Sequence, residues 1–166
     1  MDINVFSKEY VVKKLQKDDI PEIYNLCSKN KLYYDYRPPY VTEQSIESDM
    51  KAVPLGKTIS DKFYVGYFNG DKLVAILDLI CRYPNPQAAY IGFFMVDADS
   101  QKQGIGSDII SQLSTVLVDN GFNTIQLAWV YGNPQAEAFW TKNGFVKFGD
   151  VCELKNYSVI RAKKEI

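Results

Sequence analysis

The chain has 166 residues, 46% of them hydrophobic, and a formal net charge of −1, which suits a single domain over 1–166 with a sizeable core and carries no electrostatic footprint for nucleic acid. Histidine is absent, and the three cysteines, Cys27, Cys81 and Cys152, are odd in number and widely spaced; this excludes Ser-His-Asp and Cys-His nucleophiles, His-ligated zinc and a disulfide framework, so no metal is expected. No apolar run approaches the ~18 residues of a membrane span, and Met1-Asp2-Ile3-Asn4-Val5-Phe6 lacks the basic and then apolar regions of a signal peptide, so the expected location is cytoplasmic, away from membranes, with reduced thiols.

Tyr10–Leu15 reads as a first strand. Asp18 or Asp19 caps a helix that Pro21 starts well, with Ile20, Ile23, Tyr24 and Cys27 on one face. Tyr33–Tyr40 is an irregular aromatic stretch. Thr42 opens a second helix to about Val53, stopped by Pro54 and Gly56. Phe63–Asn69 and Leu73–Arg82 are strands joined by an Asn69-Gly70-Asp71 turn, and Ala89–Val96 is a third, after Pro84-Asn85-Pro86. A helix from Gly104 to Asn120 buries Ile105, Ile109, Leu113, Val116 and Leu117, and Asn120-Gly121 closes it. Thr124–Val130 is a strand, Pro134–Asn143 a helix ended by Gly144, and Val146–Leu154 with Asn156–Ala162 a final strand pair. Such an order predicts an α/β (α+β) fold, a mixed central sheet of about seven strands with helices on both faces.

The most informative run is Gln101-Lys102-Gln103-Gly104-Ile105-Gly106-Ser107, between the strand ending at Val96 and the helix from Gly104. Bare N–H groups at a helix N-terminus, glycines that admit close approach, the helix dipole and Lys102 together suit a phosphate-bearing ligand. The dinucleotide fingerprint needs a third glycine, but Ile109 stands there, and no P-loop Gly-Lys-Ser/Thr is present.

The run does match Gln/Arg-x-x-Gly-x-Gly/Ala, and Asn133-Pro134-Gln135-Ala136-Glu137-Ala138-Phe139-Trp140-Thr141-Lys142-Asn143-Gly144-Phe145 resembles the block Asn-x-x-Ala-x-x-aromatic-Tyr-x-Lys-x-Gly-Phe. Over residues 10 to 160 the chain thus resembles the GNAT family of N-acetyltransferases. The resemblance implies the acyl-CoA N-acyltransferase fold, with acetyl-CoA (coenzyme A) as cofactor. It places main-chain groups of Phe94, Met95 and Val96 on the pantetheine arm and thioester, and Gln101, Lys102, Gln103, Gly104, Ile105, Gly106 and Ser107 around the diphosphate. Asn133, Phe139, Trp140 and Lys142 complete the implied cofactor set. Each has a plain structural reading too: Asn133 before Pro134 is a good helix cap, Ser107 can bond its own helix, and Phe93–Val96 is buried sheet. Trp140 stands where many members have Tyr, and an indole N–H does not serve as a general acid. A thiolate, with reference pKa near 8.5, leaves without one.

For the base, Asp78 interrupts the apolar run Leu73–Ile80, where a carboxylate is costly unless paired. Tyr90 occupies the position where certain relatives carry a catalytic Glu, and a water relay is a third route. Tyr33, Tyr34, Tyr36 and Tyr40 fall where the family builds its acceptor pocket, with Phe93 beside them and Glu47 or Asp49 adding charge. Of these, Tyr34, Tyr36 and Phe93 are expected to touch substrate, through cation–π contact with an amine. The expected activity is transfer of acetyl to a primary amine of a small or amino-acid-like molecule, by direct attack in a ternary complex, from a monomer or homodimer. Alternatives are a protein N-terminal or lysine acetyltransferase, another acyl-CoA as donor, and a non-catalytic acetyl-CoA sensor.

Overall fold

In a computed structural model that describes all of Met1–Ile166, seven strands form one mixed sheet in the order β1-β2-β3-β4-β5-β7-β6. They are β1 (Val11–Lys14), β2 (Lys62–Asn69), β3 (Lys72–Cys81), β4 (Ala88–Val96), β5 (Thr124–Val130), β6 (Val146–Glu153) and β7 (Ser158–Glu165). The helices are α1 (Ile20–Ser28), α2 (Lys31–Tyr36), α3 (Glu43–Lys51), α4 (Ile105–Asp119) and α5 (Pro134–Lys142). The expected fold class and nearly every element are borne out. The exceptions are local. Lys31–Tyr36 is helical where an irregular stretch was expected. The last strand runs Ser158–Glu165, further on than expected. On α1 it is Leu26, not Tyr24, that joins Ile20, Ile23 and Cys27 in the core.

The core lies on both faces of the sheet, as the two-sided apolar character of β3 requires. On one face α1, α2 and α3 pack Ile23, Leu26, Tyr34 and Ile46 against Tyr64, Ile76 and Met95. On the other, Ile109, Leu113 and Leu117 of α4 and Trp140 of α5 pack against Leu77, Leu79, Ile91 and Leu127. A fully buried Leu or Ile contributes about 1.5–3 kcal/mol, so α4, with Ile109, Ile110, Leu113 and Leu117 fully buried, is an anchor and not a surface strap.

Two irregularities shape the functional end of the sheet. The β3–β4 register slips between Asp78 and Leu79: Asp78 faces Phe93 and Leu79 faces Ile91, leaving Gly92 as the extra residue of a bulge. Bulges bend and twist the strand that carries them. Beyond it, β4 leaves β5. Their parallel ladder runs only from Ala88↔Thr124 to Ile91↔Leu127, although β4 continues to Val96 and β5 to Val130. A wedge opens between the two strand ends.

Candidate functional site

The glycine turn sits at the mouth of this wedge. Gly104 caps α4 with φ 88, and Lys102 also has positive φ, 62, which is uncommon for a residue with a Cβ and concentrates at functional sites. The helix ladder begins with Asp108 N–H donating to Gly104 O at 3.0 Å. The N–H groups of Lys102, Gln103, Gly104, Ile105, Gly106 and Ser107 are used neither by that ladder nor by the turn. A row of free amides at a helix N-terminus is a cradle for an anion. The two glycines serve it differently. A Cβ on Gly104 would meet only Asp108 Oδ2 at 3.6 Å, whereas one on Gly106 would stand 3.0 Å from Phe139 Cε2 and 3.3 Å from Val96 Cγ2. Gly104 provides conformation and open space, and Gly106 lets α4 lie tightly on α5 and β4.

Gln101 braces the turn. Its Nε2 donates to Asn30 Oδ1 (2.7 Å) and Val96 O (3.0 Å), and its Oε1 accepts from Gln135 Nε2 at 3.3 Å. One side chain ties the α1–α2 turn, β4 and α5 together. Because Asn30 Nδ2 also donates to Val96 O, at 3.3 Å, only the Val96 N–H is left for another partner. Asp97 N–H donates to Val74 O, so alternation turns Met95 toward β3 and the N–H groups of Phe94 and Val96 into the wedge. Asn133 is a buried cap whose Oδ1 accepts from Gln135 N–H and Ala136 N–H, both at 3.1 Å. Ser107 makes no side-chain bond to its helix and stays half-buried beside the free amides. Gln103 reaches back to Asp99 O at 3.4 Å. Lys142 is exposed on the last turn of α5, about 10 Å along the axis from Gln135 at 1.5 Å per residue.

The wedge floor is aromatic. Trp140, 8% exposed, meets Phe139 and Phe145 edge-on with centroids 4.9 and 5.0 Å apart, and Phe94 at 5.9 Å. The indole is thus a packing group of the core between α5 and the sheet.

On the opposite face of the sheet lies a cavity of about 410 Å³. Tyr33 and Tyr34 of α2, Arg37 at its C-cap, Tyr40 from the loop beyond, Ile46 and Asp49 of α3, and Tyr64, Asp78, Gly92 and Phe93 of the sheet line it. Of the side chains expected to touch an acceptor, Tyr34 and Phe93 are on its wall. Tyr36 is not brought there; Tyr33 and Tyr40 are. The reason is that α2 is a helix: Tyr33 and Tyr34 turn inward and stack edge-on at 5.0 Å, while Tyr36 falls on another side. Of the two candidate acids, Asp49 lines the cavity and Glu47 is held at the surface by Lys51 (2.7 Å) and Lys17 (3.5 Å).

Asp78 stands at the inner end of this cavity, 8% exposed. Its Oδ2 accepts from Lys62 Nζ at 2.7 Å, and its Oδ1 is buried with no partner. Lys62, 4% exposed, also donates to Ala52 O at 2.9 Å. Burial pushes the Asp78 carboxyl up to about 6, against the lowering pull of the Lys62 ammonium. The sequence pattern did not single out Lys62, though its period of two with Tyr64 on the inward face was a usable signal. Asp49 reaches solvent through the cavity mouth, yet the protein around it raises its carboxyl by desolvation, opposed by Arg37 and Lys62.

A second cavity, about 240 Å³, continues past Asp78 and Gly92 to Tyr83 and Tyr90. Tyr90 packs edge-on against Tyr83 at 5.6 Å, and burial raises its phenol further above the usual range. That makes it a poorer base than its position suggested. Burial likewise pushes the Cys27 and Cys81 thiols up to about 11, which leaves them as packing groups, and Cys152 is exposed on β6. No group of acidic or thiol side chains is disposed to hold a metal ion, and no helix is long and apolar enough to cross a membrane.

A seven-stranded mixed sheet parted between β4 and β5, with helices on both faces, is the acyl-CoA N-acyltransferase fold. Residues 20–145 match the model of the acetyltransferase (GNAT) family, and the chain belongs to that family of acyltransferases, whose cofactor is acetyl-CoA. Among solved structures it is similar to an acetyltransferase from Thermus thermophilus (TM-score 0.78, 17% identity, covering 95% of this chain and 97% of that one). It is also similar to the Salmonella typhimurium acetyltransferase that modifies the N-terminal serine of the 50S ribosomal protein L7/L12 (TM-score 0.75, 18% identity, 97% of each chain). A third is spermidine N-acetyltransferase from Vibrio cholerae, solved with CoA and spermine (TM-score 0.70, 19% identity, 96% of each chain). At such identities the likeness is one of fold. No curated protein sequence gives a match.

Proposed function

We propose that the chain transfers acetyl from acetyl-CoA to a primary amine of a small or amino-acid-like molecule, by direct attack in a ternary complex. The residues present fit the cofactor: free amides from Lys102 to Ser107 suit its diphosphate, and the Phe94 and Val96 N–H groups suit its pantetheine arm and thioester. Bound there, acetyl-CoA supplies an activated acyl group. The protein's part is then to hold the amine, remove its proton and exclude water.

The observation that carries the reading is Asp78. A buried carboxylate oxygen without a partner, at the inner end of a cavity and one bulge away from the strand that lines the wedge, suits a base. Lys62 fixes Oδ2, and Oδ1 is left to take the proton of the attacking amine. The tyrosine walls and the roof of α2 favour a compact acceptor over a protein chain.

The test is a coenzyme A release assay over a panel of small amines and amino acids, with N-terminal and lysine peptides as a second arm, products identified by mass. Turnover on small amines is expected, with Asp78→Asn slowing it by about 10²–10⁴-fold while acetyl-CoA affinity is kept. Turnover confined to peptides overturns the acceptor class, and acetyl-CoA binding without turnover on either arm overturns the enzyme reading in favour of a sensor.

A further inference from the structure

The acceptor cavity holds charges of both signs that the fold does not pair. Arg37 is on its wall and forms no ion pair with a carboxylate; the Tyr157 side chain, whose ring lies 5.7 Å from the guanidinium, is its close partner. Asp49, on the facing helix α3, forms neither an ion pair nor a side-chain hydrogen bond. Further in, Asp78 keeps Oδ1 unpartnered. Elsewhere in the protein a buried carboxylate finds full partners: Asp97 meets Lys72 at 2.7 Å and accepts from Ser100 Oγ at 3.1 Å. An unpaired guanidinium, an unpaired carboxylate and, further in, one free oxygen of a carboxylate that Lys62 holds by the other are a constellation waiting for complementary groups.

We propose that the acceptor is dipolar, an α-amino acid or a close relative bearing an ammonium and a carboxylate, with Arg37 receiving its carboxylate and Asp49 and Asp78 receiving its amine. This rests on the transferase reading above and narrows its substrate class. The planar fork of Arg37 matches a carboxylate by paired hydrogen bonds. Asp49 adds negative charge nearer the cavity mouth, and Asp78 draws the ammonium to the inner end, where its Oδ1 takes the proton as the nitrogen becomes a nucleophile. Tyr33, Tyr64 and Phe93 leave room between these poles for a modest side chain, and 410 Å³ falls in the small-molecule range of about 300–1,000 Å³. A diamine suits the cavity less well, because its second ammonium would face Arg37.

The experiment compares four acceptor classes on the full chain: α-amino acids, their carboxamides, the corresponding decarboxylated monoamines, and a diamine. Each is assayed by coenzyme A release with wild type, Arg37→Met and Arg37→Lys. Wild type should favour the amino acid over its carboxamide and monoamine by roughly 10- to 100-fold in kcat/KM, the usual loss when a hydrogen bond to a charged group is removed. Arg37→Met should erase that preference through KM while retaining turnover on the monoamine, and Arg37→Lys should fall between. Because the preference is read within wild type, poor folding of a variant does not spoil the test. A wild type that uses the carboxamide, monoamine or diamine as well as the amino acid overturns the proposal alone, as does an amino-acid preference that survives in Arg37→Met. Absence of turnover on all four classes, with acetyl-CoA still bound in calorimetry, overturns it together with the small-molecule acceptor reading on which it rests.

Discussion

A Cβ on Gly92 would stand 2.9 Å from Asp78 Oδ2 and 3.3 Å from Asp78 Cγ. The bulge that inserts Gly92 into β4 therefore keeps the room in which the carboxylate meets Lys62. Gly92→Ala is expected to displace the Asp78 carboxylate and lower kcat by at least about 10-fold, since a misplacement near 1 Å can cost about 10²-fold. Because the displaced oxygen is the one paired with buried Lys62, the melting temperature should fall as well. Steady-state kinetics with differential scanning calorimetry decides it: an unchanged kcat would mean that the placement of Asp78 is immaterial.

The pH profile should report the same carboxylate. With the Asp78 carboxyl raised to about 6 from the reference 3.8, chiefly by burial, kcat/KM should fall on the acid side with a midpoint near pH 6. Lys62 lowers the carboxyl, so Lys62→Met should move that midpoint upward. The stability linkage runs oppositely. Between about 3.8 and 6 the folded state binds more protons at Asp78 than the unfolded state, so this residue's contribution to stability declines as pH rises through that window and is level above it. Asp78→Asn should remove that decline from the denaturation curves.

The two glycines of the turn are expected to separate on substitution. Gly104→Asp forces a side chain into φ 88, a strain of about 1–2 kcal/mol, and sets a carboxylate against the diphosphate. Acetyl-CoA affinity in calorimetry should collapse while the fold persists. Gly106→Ala instead presses on Phe139 at 3.0 Å and Val96 at 3.3 Å, an overpacking cost of about 1–3 kcal/mol visible first in chemical denaturation. Equal affinity losses with unchanged stability in both would show that Gly106 also faces the ligand.

Trp140 should behave as a wall. Trp140→Phe should keep most turnover, because the contacts with Phe139, Phe145 and Phe94 are those of a ring and need no N–H. Trp140→Ala should lose about 3–5 kcal/mol of stability as a large-to-small core change. A hundredfold fall in kcat for the Phe variant at full stability would assign the indole N–H a chemical role.

Cys27 and Cys81, with thiols pushed up to about 11 by burial, cannot carry the acyl group as thiolates near neutral pH. Initial-rate plots with both substrates varied should intersect. Replacing Cys27, Cys81 and Cys152 with Ala should leave turnover within a few-fold. Parallel lines, or an acetylated cysteine in intact-mass spectra, would require an acetyl-enzyme.

Much of this site was legible because its signals are local. The turn Gln101–Ser107 and the cap Asn133 are written in consecutive residues, and Asp78 shows itself as one carboxylate in an apolar strand. Lys62 did not, because its partner lies across the β2–β3 ladder, where Tyr64 faces Asp78. The six-residue α2 is too short for a 3.6-residue period to stand out, so Tyr36 was expected beside Tyr34 where the helix brings Tyr33 instead. The bracing by Gln101 joins segments far apart in the chain, and nothing near Gln101 signals it.

The order of apolar periods determined the fold class, since that follows from which residues can form each element and each cap, and the two motifs at Gln101–Ser107 and Asn133–Phe145 carried the resemblance to the family. Tertiary structure alone decided where β4 parts from β5, which tyrosines wall the cavity beneath α2 and α3, and that Arg37, Asp49 and Asp78 share it. The tyrosines, Arg37 and Asp49 are placed by α2 and α3, whereas the parting of β4 from β5 and the position of Asp78 depend on strand register and on the bulge at Gly92. A shift of a single residue in register turns every side chain to the opposite face, and that choice is made by the packing of both cores together, not by any one segment.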